Sequence, residues 1–272
     1  LDRLYHPAMP KLSANLSTMF TETPFLDRFA AARDNGFDAV EFQFPYAFAP
    51  SQVAERLDAA GLQLVLHNLP PGDAAAGDRG MACDPHRVAE FQDSVGLGLD
   101  YADALGVRQL HCMAGLVPPG VSQDQARDTY LSNLQFAAAE LDEHGMRLLI
   151  EPINSFDVPG YFLTGTAQAA DIIADCGADN LFIQYDMYHV HRMEGRLSAS
   201  LRALLPLVGH IQFADAPGRH EPGTGEIDFA TLFALLDELG YDGWVGCEYF
   251  PARDTVSGLG WRKRLLPGAP AR

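Results

Sequence analysis

The stretch RLLIEPINSFDVPGY, residues 147–161, decides how this chain is read. Leu148, Leu149 and Ile150 form an apolar run that delivers a carboxylate, Glu151, and Pro152 follows at once. Pro152 has no N–H to continue a ladder, so a buried strand is expected to end there. A charge at the end of an apolar strand is costly unless a partner or a cation meets it. Glu151 therefore reads as a functional group placed by a strand end.

Working outward, the same unit recurs: a short apolar or alternating run, then a longer helical pattern. The expected strands are 11–16, 39–44, 62–67, 107–113, 147–151, 181–186, 208–213 and 244–248. Helices are expected after each. Thr23-Pro24 is an N-cap followed by proline at N1, and Asn35-Gly36 is a stop. Further helices are expected over 51–60, 86–105, 123–144, 164–175, 197–205 and 229–239, several closed by glycine (Gly61, Gly106, Gly240). A long loop, 68–85, carries Gly72, Gly77, Gly80, Asp73, Asp78 and Arg79. Loops of that length in a compact domain are usually functional or disordered.

Eight strand–helix units in alternation predict a parallel sheet closed into a single (β/α)8 TIM barrel. An open doubly wound sheet would show a GxGxxG turn after its first strand, and none is present. The 272 residues suit one such domain, with residues 1–10 an N-terminal extension and about 263–272 a flexible tail.

Composition narrows the function classes. A hydrophobic share of 47% and a mean hydropathy of -0.06 predict a soluble globular protein. No apolar run approaches the roughly 18 residues of a membrane span. The first residues, LDRLYHPAMPKL, carry no signal-peptide core, so a cytoplasmic location is expected. A net charge of -17 argues against nucleic acid as a partner. Cys83, Cys112, Cys176 and Cys247 form no CxxC pair, so neither a disulfide framework nor a zinc ribbon is expected.

Barrel active sites lie at the C-terminal ends of the strands. Asn15, Glu41, His67, Glu151, Asp186, Gln212 and Glu248 stand there. The last four come from consecutive strands about 4.8 Å apart, close enough to converge. Three carboxylates and one amide oxygen suit a hard cation such as Mg²⁺ or Mn²⁺. Without a counterion the clustered carboxylates would raise one another's pKa. A residual negative charge would repel an anionic substrate, so a positive group is needed: Arg219 and His189 are the candidates, with Arg79 a third. His67 faces the same mouth and could serve substrate or core, while His191 and His220 read as loop-surface residues.

Several stretches then resemble one family in detail: LSANLS (12–17), VEFQFPY (40–46), HNLPPGD (67–73), AAGDRGMAC (75–83), EPINSFDVPGYFLTGT (151–166), QYDMYHVHRMEG (184–195), HEPGTGEI (220–227) and GWVGCEY (243–249). The chain resembles the hydroxypyruvate isomerases, in the xylose-isomerase-like barrel superfamily that also holds ketose 3-epimerases and endonuclease IV. The likeness covers about 11–262. It implies conversion of hydroxypyruvate to tartronate semialdehyde, with Glu151 and Glu248 as the acid/base pair. It also implies a divalent metal on Glu151, Asp186, Gln212 and Glu248.

The sister group of 2-oxotetronate isomerases ranks second, since its motifs depart from EPIN and YDMYH. Related epimerases carry His where this chain has Gln212, which makes that activity less expected and moves metal preference towards Mg²⁺ or Mn²⁺. A nuclease fits neither the charge nor the shortage of strand-end histidines. A barrel that binds a sugar acid without turnover is the alternative of another class, and the pair Glu151 and Glu248 speaks against it. The expected partner is a small anionic hydroxy-oxo acid, and a homo-oligomer is compatible with the sequence.

Overall fold

The computed structural model of the chain describes residues 10–266. Residues 1–9 of the expected N-terminal extension and the end of the tail, 267–272, lie outside the described residues. Eight parallel strands close in sequence order, β1 to β8, with β8 returning to β1. They are β1 Lys11–Asn15, β2 Ala39–Glu41, β3 Gln63–Asn68, β4 Gln109–His111, β5 Arg147–Ile150, β6 Leu181–Asp186, β7 Val208–Phe213 and β8 Trp244–Cys247. Around them run α1 Arg28–Asp34, α2 Pro50–Ala60, α3 Val88–Leu105, α4 Gln123–Glu143, α5 Thr166–Cys176, α6 Met187–Met193, α7 Leu197–Leu204 and α8 Phe229–Glu238. Two short helices, α9 Thr255–Gly258 and α10 Trp261–Leu265, follow β8. The expected barrel is the observed one.

Burial explains the elements. α3 places Phe91, Val95, Leu99 and Ala102 inward at helical spacing, and Gly106 ends it in the left-handed region at φ 71. Ser122 and Gln125 form a capping box that opens α4. Most of the apolar core lies between strands and helices, while Ala39, Val65, Leu66 and Leu149 form a smaller cluster. No helix among the described residues is long and apolar enough to cross a membrane.

Four expectations are corrected. β2 and β4 are shorter than the apolar runs suggest, and β2 slips register against β3 at Val40/Glu41. Thr23 does not cap α1: its hydroxyl donates to Phe20 O at 3.1 Å, and a 3-10 turn (Phe25–Asp27) opens the helix. The helix expected over 164–175 starts two residues later, at Thr166. Gly165 holds the N-cap position, and Glu194 from the end of α6 accepts from Thr166 N at 2.7 Å and Thr166 Oγ1 at 2.9 Å. That places a carboxylate where the helix dipole favours one. Finally, residues 263–265, expected in the tail, belong to α10. Trp261 anchors it, fully buried, edge-on to Phe213 at 5.5 Å and donating from Nε1 to Tyr249 OH at 3.1 Å.

Candidate active site

The strand ends carry a buried polar network that begins at Glu41. Its carboxylate is fully buried and accepts from Ser13 Oγ at 2.8 Å, Asn15 Nδ2 at 3.2 Å and Gln212 Nε2 at 2.7 Å, with His210 Nε2 at 2.8 Å. Burial pushes the Glu41 carboxyl up, yet His210 and the hydrogen bonds from Gln212 and Ser13 hold it below the usual glutamate value. Room for it depends on Gly246, where an added Cβ would stand 2.3 Å from Glu41 Oε1. Gln212 is thus fixed at both ends of its amide, because its Oε1 accepts from Gln184 Nε2 at 2.7 Å.

Above this layer stand the three carboxylates. Asp186 is the last residue of β6 and pairs across the ladder with Gln212, which faces Gly246. Glu248 sits two residues beyond Gly246, and Glu151 one beyond Ile150, so the four are staggered rather than level. Asp186 Oδ1 accepts from Tyr188 N at 2.9 Å and so caps α6, a helix the sequence reading did not place. Asp186 Oδ2 and Glu151 Oε1 are buried without hydrogen-bond partners. Gln43 Nε2 donates to Glu248 Oε1 at 3.0 Å.

Burial, with Glu248 and Asp186 beside it, pushes the Glu151 carboxyl well above its usual range. Burial likewise raises Glu248 to about 7 and Asp186 to about 6, against the pull of Arg219. Arg219 Nη2 lies 3.5 Å from Glu248 Oε2 and 3.6 Å from Asp186 Oδ2. Its guanidinium packs over Tyr188 at 5.1 Å and Phe250 at 5.8 Å. The loop that carries it is tied to Asp215, whose carboxylate accepts from five backbone N–H groups, those of Ala216, Gly223, Thr224, Gly225 and Ile227.

His189 lies 3.5 Å from Asp186 Oδ2 and 3.8 Å from Glu151 Oε1 through Nε2. Ligand atoms of Glu151, Asp186 and His189 come within 4.8 Å of one another, a spacing that can hold a metal ion. The tautomer bears on that. Asn154 N donates to His189 Nδ1 at 3.3 Å, and Asn154 Nδ2 stands 2.7 Å from the same atom. Nδ1 must therefore accept, which leaves the proton of a neutral ring on Nε2, facing the carboxylates. Burial, then Arg219, keeps this ring far below the usual histidine pKa, so it stays neutral. In this state His189 is a donor to an oxygen rather than a metal ligand.

These groups line a cavity of about 300 Å³ at the barrel mouth, which Glu151, His189, Arg219 and Glu248 share with Gln43, Asn68 and Arg79. Arg79 is exposed on the long loop, with Nη1 donating to Asp78 O at 2.8 Å. His67 is buried, its Nδ1 3.1 Å from Asn68 O, and it is not part of the cavity wall; burial lowers it to about 4. His191 is on α6, 2.9 Å from Glu226, rather than on a loop. The sequence reading missed Gln43, Asn154, Gln184 and His111. His111 is the polar residue that closes β4, but Cys112 and Met113 continue the apolar character and hide that end in the sequence.

Comparison with known proteins places this geometry. The profile described as "Xylose isomerase-like TIM barrel" matches residues 29–265. A 2-oxo-tetronate isomerase of Cupriavidus necator is 48% identical over 258 residues, covering 95% of this chain and 99% of the relative. A hydroxypyruvate isomerase of Escherichia coli is 48% identical over 253 residues, covering 93% and 98%. A solved structure described as AP endonuclease, family 2, from Brucella melitensis superposes with a TM-score of 0.92 at 43% identity, over 94% of this chain and 99% of that one. The chain belongs to the xylose isomerase-like TIM barrel family, and within it to the isomerases.

Proposed function

We propose that the chain interconverts hydroxypyruvate and tartronate semialdehyde, with Glu151 and Glu248 as the proton-transfer pair. The observation that carries this is two buried carboxyls, Glu151 and Glu248, on one small cavity, with Arg219 beside Glu248. One carboxyl that takes a proton and a second that gives one are what acid/base exchange needs.

The reaction balances as follows. One glutamate takes a proton from C3, and the C–H electron pair forms the C2=C3 bond of an enediolate as the carbonyl pair moves onto O2. The other glutamate delivers a proton to C2. The hydroxyl proton passes from O3 to O2, leaving an aldehyde at C3. Arg219, the neutral His189 Nε2–H and, from the loop side, Arg79 hold the anionic substrate.

A divalent ion fits this donor set. Glu151 Oε1 and Asp186 Oδ2 lack hydrogen-bond partners, and clustered carboxylates favour a counterion. Gln212 Oε1 keeps a second lone pair beside its bond from Gln184. Mg²⁺ or Mn²⁺ would be held by Glu151, Asp186, Gln212 and Glu248, and when bound supplies positive charge to oxygens that become more negative in the enediolate.

A second reading, a 2-oxotetronate substrate, is favoured by the equal identity to a relative of that name. The substrates differ by one hydroxymethylene unit, worth about 1–3 kcal/mol of discrimination. The test is kcat/KM for hydroxypyruvate, 2-oxotetronate and a ketohexose on one preparation. Hydroxypyruvate leading supports the proposal; a ketohexose leading overturns it.

A further inference from the structure

His111 closes β4 and is 1% exposed. Four histidines are buried among the described residues. His67, His189 and His210 each have a ring nitrogen in contact with a hydrogen-bonding partner. Both ring nitrogens of His111 lack one. Such a group is costly to keep inside a protein unless a bound molecule completes it.

Its surroundings indicate what that molecule is. The His111 side chain forms part of the cavity wall, with Nε2 3.6 Å from Glu151 Oε2, too far for a good hydrogen bond. The strand carrying the ring is anchored on both sides: His111 O accepts from Leu69 N, and Cys112 N donates to Leu149 O, each at 2.8 Å. The ring comes from β4, whereas Glu248 follows β8 and Arg219 lies in the loop after β7, so the cavity they share is flanked from two sides of the barrel.

We infer that His111 is a catalytic residue of this isomerase, whose neutral imidazole donates from Nε2 to the substrate oxygen that gains charge as the C3 proton leaves. The inference rests on the isomerase reading above. The donor role is that of the tautomer with its proton on Nε2, the ring nitrogen that lies 3.6 Å from Glu151 Oε2. His111 keeps that proton throughout, so nothing is added to the proton balance. A donor whose bond strengthens as charge develops raises kcat more than it lowers KM.

The test compares wild type, His111→Leu and His111→Gln, each loaded with Mn²⁺ and turning over hydroxypyruvate and 2-oxotetronate. His111→Leu should lower kcat by about 10²-fold or more with little change in KM. His111→Gln, which keeps an N–H donor, should recover roughly a tenth or more of the wild-type rate. Mn²⁺ affinity by calorimetry and the melting temperature should stay at the wild-type level in both, whereas a merely structural role would lower the melting temperature. If His111→Leu does not fold, His111→Asn is read instead, with the same loss of kcat expected because its donor is drawn back. Wild-type turnover with His111→Leu within threefold of it overturns the role of His111 alone. No turnover in the wild type overturns both readings.

Discussion

Glu41 Oε1 accepts a hydrogen bond from Gln212 Nε2 at 2.7 Å, and this contact fixes which end of the Gln212 amide is left to face Gln184. Replacing Glu41 by alanine strands the donors of Gln212, Ser13 and Asn15 in a dry interior and removes the partner of His210. Glu41→Ala should cost about 3–5 kcal/mol, the usual result of breaking a buried polar cluster from one side. Urea denaturation measures it, and a loss below about 1 kcal/mol would show that the network is not integral to the fold. Since the folded pKa of Glu41 is depressed, its contribution is present above the ordinary value of 4.5 and disappears as pH falls through the lower folded value.

The upper carboxylates act in the opposite sense. Asp186 and Glu248 sit near 6 and 7, above their ordinary 3.8 and 4.5. Between these limits the folded metal-free chain holds protons that the unfolded chain has released. Stability of chelator-treated protein should therefore fall as pH rises from about 4.5 to 7. Added Mn²⁺ should raise the melting temperature more at pH 7.5 than at pH 5, where protons compete for the ligands. Calorimetry of metal-free and loaded protein checks this; a melting temperature that climbs across the window without metal would contradict it.

Asp215 holds the Arg219 loop through five backbone N–H groups. Asp215→Asn replaces an acceptor-only carboxylate by an amide whose N–H₂ faces other donors. The expected result is a KM for the acid substrate raised roughly tenfold or more, since charge-assisted bonds of about 1.5–3 kcal/mol are lost where Arg219 is positioned. Steady-state kinetics decides it. An unchanged KM would mean that the loop keeps its shape without Asp215.

Trp261 tests the closing segment. It is fully buried against Phe213 and Phe233. Trp261→Ala should destabilise by about 3–5 kcal/mol, the range for large aromatic truncations. A change within about 0.5 kcal/mol would return α10 to the flexible tail that the sequence suggests.

The barrel was legible because each strand is a short apolar run and each helix a longer periodic one, as in Leu148–Ile150 and in α3 with Phe91, Val95 and Leu99. Glu151, Asp186 and Glu248 were legible for a related reason: a carboxylate stands out at the end of a greasy run. Gln43, Gln184 and Asn154 were not, since a neutral amide carries no signal until its partners are known. The tautomer of His189 was also hidden, because it depends on Asn154, thirty-five residues away in sequence. α6 was missed because its start is set by the Asp186 cap, a residue already read as a ligand candidate.

The central claim is that Glu151 moves the carbon-bound proton. The direct measurement is turnover of hydroxypyruvate deuterated at C3 by the wild type and by Glu151→Gln, with folding of both confirmed by melting temperature. The account predicts a primary isotope effect in the wild type and a loss of kcat of about 10³-fold or more in Glu151→Gln. Wild-type-like kcat in a folded Glu151→Gln would contradict it.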